Sequence, residues 1–193
     1  MTSRISDKGL SHVRNLKPDL KTFGKYLGGG LAFGAFGGRA DVMAVFDPRA
    51  PGSVAHSGTF NNNTLVTHAG YAGLTGVYTS EVAKEFTDNG DRWLAKLNAV
   101  SEGTKLFWSG VGTVATSHFV EKGPREIKNA TDVKENMQLK DLFWFEMLEQ
   151  KFWVTRRGFV ALVLGTPQSE LDRFVKATED FIAKYQNLIT LEA

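Results

Sequence analysis

Asp19-Leu20-Lys21-Thr22-Phe23-Gly24-Lys25-Tyr26-Leu27-Gly28-Gly29-Gly30-Leu31-Ala32-Phe33-Gly34-Ala35-Phe36-Gly37-Gly38-Arg39 holds seven glycines between Gly24 and Gly38. Glycine reaches positive φ without strain and lets backbone or a ligand come close, so this density is a demand on the backbone. Leu20, Thr22 and Phe23 read as a short strand, and Lys25 stands where that strand gives way to the glycine loop. A lysine that forms an imine must react as the neutral amine, and a closed pocket at a strand end favours that form. Read alone, the run leaves a surface lysine after a turn as the commoner outcome. Two nucleotide-loop alternatives fail. Lys25 is followed by Tyr26 rather than Ser or Thr and position 19 is Asp, which removes a Walker loop. A dinucleotide fingerprint on Gly28 and Gly30 would need glycine where Phe33 stands.

The chain has 193 residues, is 42% hydrophobic and 23% charged, and carries a net charge of +2. These are ordinary values for a globular protein, and the charge balance gives no argument for nucleic acid or a membrane surface as partner. Four tryptophans and fourteen phenylalanines supply a core. There is no cysteine, so disulfides, zinc-thiolate sites and cysteine nucleophiles are excluded. No apolar run reaches the length of a membrane span, and the first residues lack the apolar stretch of a signal peptide. A cytoplasmic location is the expectation, although absence of cysteine fits any compartment.

Outward from the glycine run, residues 1–17 show no element of their own. Leu31 to Phe36 reads as a buried strand, Ala40 to Phe46 as one or two helical turns, and Asp47 to Ser53 as a loop. A helix follows Asn63, with Leu65, Ala69, Ala72 and Val77 on one face and small residues suited to close packing. Glu81 to about Val100 forms a second helix, which Asp88-Asn89-Gly90 could interrupt. Val111 to Val120 is β-branched and strand-like, Lys122 to Gln138 a long loop. Leu139 to Gln150 is helical and apolar nearly all round, hence buried. Phe159 to Leu164 is a strand. Thr166-Pro167 starts a last helix whose buried face is Leu171, Phe174, Val175, Phe181, Ile182 and Tyr185. The pattern changes near residues 100–110, which gives two domains, 1–104 and 105–193.

Two further segments carry chemistry. His56-Ser57-Gly58-Thr59-Phe60-Asn61-Asn62-Asn63 lies directly before a helix. Free N–H groups at a helix start bind phosphate and a hydroxyl adds a donor. An ordinary helix cap is an equally common use of Thr and Asn there. Thr155-Arg156-Arg157-Gly158-Phe159-Val160 puts arginine at the entry to a strand. An arginine can clamp a carboxylate with two hydrogen bonds, although a salt bridge at a strand start is the more frequent role. Histidines 12, 56, 68 and 118 have no metal-ligand spacing, so no metal is expected. No local motif suggests a Ser-His-Asp arrangement.

Taken in order, the lysine segment, Gly37-Gly38-Arg39-Ala40-Asp41-Val42-Met43, Asp47-Pro48-Arg49, His56 to Asn63 and Arg157-Gly158-Phe159-Val160 resemble class III pyridoxal-phosphate aminotransferases. That family includes glutamate-1-semialdehyde 2,1-aminomutase, and the aromatic β-amino acid (β-phenylalanine) aminotransferases are the sub-group of nearest pattern. Asn63-Thr64 departs mildly from the Asn-Pro the family often shows. The resemblance implies an α/β fold, the C-terminal portion of the type I pyridoxal-phosphate transferase fold, with a partial large domain and a small α/β domain. It implies that Lys25 holds pyridoxal 5'-phosphate as a Schiff base and then acts as general acid-base. It further implies that Gly58 and Thr59 contact the cofactor phosphate across a homodimer interface, and that Arg157 holds a substrate carboxylate. Substrates would be an amino acid, such as a β-amino acid or glutamate-1-semialdehyde, and a 2-oxo acid.

Family members are more than twice this long. Their ring-pairing aspartate lies in an Asp-Glu-Val-Met-Thr-Ser-Arg-like run, and this chain starts Met1-Thr2-Ser3-Arg4; Asp7 and Asp19 do not match it. The expectation is therefore a truncated gene product, an inaccurate gene model or one piece of a split protein, and a chain that turns over poorly alone. The competing expectation is a non-catalytic fragment that partners a full-length paralogue, and a weaker one is a phosphate-binding module without imine chemistry.

Overall fold

The computed structural model describes residues 3–121, 127–132 and 134–191. The chain is a mixed α/β structure that divides into two compact units, Met1–Lys84 and Glu85–Ala193. The expected division at 104/105 rests on the change of sequence pattern, whereas the packing divides inside a helix.

The first unit opens with a short helix, α1 (Leu10–Val13), in a region where no element was expected. Strand β1 (Leu20–Gly24) pairs antiparallel with β2 (Gly34–Gly38), in a register running from Leu20 opposite Gly38 to Gly24 opposite Gly34. Glycine is needed at position 38, where a Cβ would come within 2.0 Å of the Asp19 carbonyl oxygen. Lys25–Gly28 forms a single 3₁₀ turn between the strands. Arg39 closes the hairpin by pairing with Asp19 at 2.6 Å and with Asp41. Helix α2 (Ala40–Met43) continues into a 3₁₀ turn, Ala44–Phe46. Helix α3 (Thr64–Gly76) is capped by Asn63, whose side chain accepts the Val66 N–H at 3.2 Å.

Two expectations about burial are corrected here. Leu31 to Phe36 is not a buried strand: the strand begins at Gly34, and Leu31 and Phe36 are exposed. The hairpin has two strands, and no other described strand pairs with either. Leu65 of α3 and Val77 just after it are exposed, and Gly70 is the buried residue of the helix. Of the small residues, Ala69, Gly70 and Gly73 face the Leu27–Gly29 backbone, which approaches where larger side chains could not fit, whereas Ala72 is exposed and nothing lies within 4 Å of a Cβ on Gly76.

Helix α4 (Ser80–Val100) runs unbroken through Asp88-Asn89-Gly90. Gly90 is a contact point: a Cβ there would lie 2.2 Å from the Gly112 carbonyl oxygen. Asp91 accepts the Gly112 N–H at 2.6 Å, so α4 grips a hairpin turn of the second unit. That hairpin joins β3 (Leu106–Val111), which the sequence pattern did not reveal, to β4 (Val114–Phe119). Its turn residue Gly112 has φ 54°. Helix α5 (Met137–Glu149) is capped by Asn136. Strand β5 (Phe159–Ala161) completes an antiparallel β3-β4-β5 sheet and is shorter than the expected Phe159–Leu164. Helices α6 (Gln168–Lys184) and α7 (Gln186–Ile189) end the unit.

The core of the second unit joins Trp93 and Leu97 of α4, Leu106 and Trp108 of β3, Phe119 of β4, Phe143 and Met147 of α5, and Leu171, Phe174 and Phe181 of α6. Phe143 sits at its centre, with the Phe181 ring at 5.0 Å and those of Trp108 and Phe119 at 5.8 Å. Removing that ring would cost about 3–5 kcal/mol. Helix α5 is not buried all round, since Met137 and Phe145 face solvent. Part of the expected 122–138 loop lies outside the described residues. No described helix is long and apolar enough to cross a membrane.

Candidate functional site

Lys25 follows directly on β1 and has φ 58°, a left-handed conformation that non-glycine residues seldom adopt. Holding it there costs of order 1–3 kcal/mol, so the neighbouring structure must over-determine it. The neighbours do so. Tyr26 packs edge-on against Tyr78 with ring centres 5.3 Å apart, and the Tyr78 hydroxyl donates to the Arg4 carbonyl at 2.8 Å. Burial pushes Tyr78 up to about 12 and keeps it a neutral donor. Gly28 is buried, and a Cβ on it would lie 2.5 Å from Phe33 Cβ. Gly29, with φ 62°, lies against the Ala69 backbone of α3. The Lys25 turn is thus clamped between the hairpin and α3, while its side chain is exposed. Its amine has no hydrogen bond or ion pair to another described residue.

Gly58 and Thr59 lie in a turn ahead of α3, closed by the Asn61 N–H donating to the Gly58 carbonyl at 3.0 Å. Both are exposed. Asn63, not Thr59, caps the helix, so Thr59 presents its hydroxyl from the preceding turn rather than from the helix start. A cleft of about 600 Å³ lies beside this turn. Phe23, Phe33, Phe36, Phe46, Phe60 and His56 wall it, with Asn61, Asn62 and Asn63 at one side. The His56 ring meets Phe36 and Phe46 edge-on at 5.3 and 5.7 Å. Sequence reasoning missed this aromatic cleft, because its walls come from five separate places in the chain. Phe23 shortly precedes Lys25 and Phe60 follows Thr59, so both candidate residues border on segments of its wall.

Arg157 belongs to the second unit. It sits in a turn closed by the Gly158 N–H donating to the Thr155 carbonyl at 2.8 Å. Its guanidinium lies 5.5 Å from the Phe159 ring centre and pairs with no carboxylate among the described residues. Arg156 is engaged instead: Nε and Nη2 donate to the two Asp141 oxygens at 2.7 and 2.6 Å. Those hydrogen bonds hold the Asp141 carboxyl below the usual carboxylate range.

His118, read from sequence as structural or solvated, centres a part-buried polar chain. His118 Nδ1 lies 2.7 Å from Glu135 Oε1, and Nε2 lies 2.8 Å from Ser109 Oγ. With Nδ1–H donating to the carboxylate, Nε2 accepts the Ser109 hydroxyl proton. Lys140 donates to both Glu135 oxygens at 2.7 Å. Burial pushes the His118 pKa down, against the opposing pull of Glu135. The chain ties β3, β4 and α5 together. No local signal marks it, because Ser109, His118, Glu135 and Lys140 are brought together by strand register and helix docking. No cluster among the described residues could hold a metal ion.

Comparison with known proteins gives this geometry its context. A beta-phenylalanine aminotransferase from Variovorax paradoxus superimposes with a TM-score of 0.92 at 42% identity, over 100% of this chain and 45% of that one. In sequence, the beta-phenylalanine transaminase of Variovorax paradoxus is 43% identical over 98% of this chain. An uncharacterized aminotransferase of Schizosaccharomyces pombe is 47% identical over 99% of this chain. The chain spans 43% of the length of each of these two relatives. The family model Aminotransferase class-III matches residues 9–136. The chain belongs to the class III aminotransferase family.

Proposed function

We propose that this chain contributes the cofactor-anchoring lysine, a phosphate contact and a carboxylate clamp to pyridoxal-phosphate-dependent amino transfer. The observation that carries the reading is Lys25. Its free amine stands on a turn clamped in a strained backbone conformation, the kind of arrangement kept for function. The donor set fits the cofactor chemically. Lys25 offers a primary amine to an aldehyde, and the Gly58–Thr59 turn offers a hydroxyl and backbone N–H groups to a phosphate. When bound, the cofactor supplies an electron sink. Lys25 Nζ would move a proton to and from the substrate carbon that bears the amine, as a general acid-base. Thr59 would bind the phosphate, reaching it from a second copy of the chain in a homodimer. Arg157 would orient the substrate through its carboxylate. The substrates are an amino acid, an aromatic β-amino acid by nearest likeness, and a 2-oxo acid acceptor.

A second reading, a non-catalytic chain that binds a full-length paralogue, is favoured by the surface of the first unit. Phe60, Leu65, Tyr71 and Val77 are all at least 60% exposed. Apolar surface of this kind marks an interaction site when it is contiguous. The test is glutamate formation from an aromatic β-amino acid and 2-oxoglutarate with added cofactor, for the chain alone and mixed with a full-length aminotransferase. Transfer that depends on Lys25 supports the first reading. Association without Lys25-dependent transfer supports the second.

A further inference from the structure

We propose that Asp141 and Arg156 are positioning residues: their ion pair fixes the turn that presents Arg157 to a substrate carboxylate. The inference rests on the carboxylate role proposed above for Arg157 and concerns how that role is achieved.

Arg156 and Arg157 are the two central residues of the turn Thr155–Gly158. Both ends of the turn are fixed. The Thr155 hydroxyl donates to the Phe159 carbonyl at 2.8 Å. The Gly158 carbonyl accepts the Ser117 N–H of β4 at 3.0 Å. Gly158 has φ 83°, and a Cβ on it would lie 2.4 Å from Ser117 Oγ and 2.8 Å from Lys140 Cε. The exit of the turn is therefore wedged between β4 and α5, and no larger residue fits.

The tip is fixed separately. The Arg156 guanidinium forks onto both oxygens of Asp141 on α5, with the Trp144 ring centre 6.0 Å away. A two-pronged pair restricts orientation as well as distance. With Arg156 held against α5, its chain neighbour Arg157 is left with the Phe159 ring as its support and with its donors unclaimed by any described carboxylate. Two adjacent arginines thus divide the work, one anchoring the turn and the other kept for an anion. The family resemblance singles out Arg157 and gives Arg156 no matching role; the Asp141 pair supplies one.

Simple electrostatics and the positioning role predict opposite signs. Asp141 is an anion near the site, so its neutralisation should strengthen carboxylate binding if charge alone mattered. If Asp141 acts through Arg156, neutralisation frees the turn and binding weakens. The experiment uses the chain itself and 3-phenylpropanoate as probe. Affinity is measured by titration, and the order of the Arg157 side chain by NMR relaxation of its Nε–H group. Arg157→Ala should lower affinity about tenfold or more, the loss of a charge-assisted hydrogen-bonded pair. Asp141→Asn and Arg156→Lys should each lower it about threefold to tenfold, the latter because lysine cannot fork. Both should also raise Arg157 mobility, and neither should add to the loss in Arg157→Ala. Absence of binding, or unchanged binding in Arg157→Ala, overturns the carboxylate role of Arg157 and the inference with it. A loss in Arg157→Ala accompanied by unchanged or tighter binding in Asp141→Asn, with Arg157 no more mobile, overturns the positioning role alone.

Discussion

Gly70 of α3 lies against the carbonyl of Leu27, so closely that a Cβ on Gly70 would come within 2.3 Å of that oxygen. The turn that carries Lys25 is held by this contact. Alanine normally favours a helix over glycine by about 1 kcal/mol. At position 70 the clash outweighs that gain, since overpacking costs about 1–3 kcal/mol and the obstacle is backbone. Gly70→Ala is expected to lower stability and weaken cofactor binding together. Gly76→Ala, where nothing lies within 4 Å of the added carbon, is expected to leave both intact or raise stability slightly. Thermal melts of the two variants check this, and equal behaviour would contradict it.

Thr59→Ala is expected to weaken cofactor binding by about tenfold to a hundredfold, the range for a hydrogen bond to a charged group. The mass in solution should be that of a dimer, since the hydroxyl is proposed to serve the neighbouring copy. Undiminished affinity in a strictly monomeric protein would contradict both statements.

Stability should fall as the solution is acidified through the ordinary histidine range. Burial lowers the His118 pKa in the folded chain, against the pull of Glu135, so the folded chain takes up this proton at lower pH than the unfolded one. The unfolded chain takes up the proton near pH 6.5, so below that value it binds more protons than the folded chain. The contribution of His118 is thus complete above about pH 6.5 and declines as pH falls toward the folded value. Denaturant midpoints measured from about pH 7.5 to 5 should fall in the parent and fall less in His118→Gln. Parallel slopes would contradict the assignment.

Where local pattern and tertiary packing agree, the sequence reveals the structure. The strand at Leu20, the helix after Asn63 with its small-residue face, and the helix opened by Pro167 all have signals within a few residues. The β3 strand was missed because Leu106-Phe107-Trp108 is buried on successive residues and shows no alternation. Gly90 looked like an interruption because its reason, the Gly112 carbonyl, is distant in sequence. The apolar residues Leu31, Leu65 and Val77 were expected inside, since composition tells which residues suit burial but not whether a partner covers them. For the candidate site, the roles given to Lys25, Gly58, Thr59 and Arg157 come from motifs read through the family resemblance and stand as proposals. The aromatic cleft and the His118 chain depend on register and docking, which no local window contains.

Lys25 as the cofactor anchor is tested most directly by trapping. The protein is incubated with pyridoxal phosphate and reduced with borohydride, which fixes an amine–aldehyde link, and the modified peptide is mapped by mass spectrometry. Label is expected on Lys25 and absent from Lys25→Ala. Label spread over other lysines, or equal label in Lys25→Ala, would contradict the proposed function.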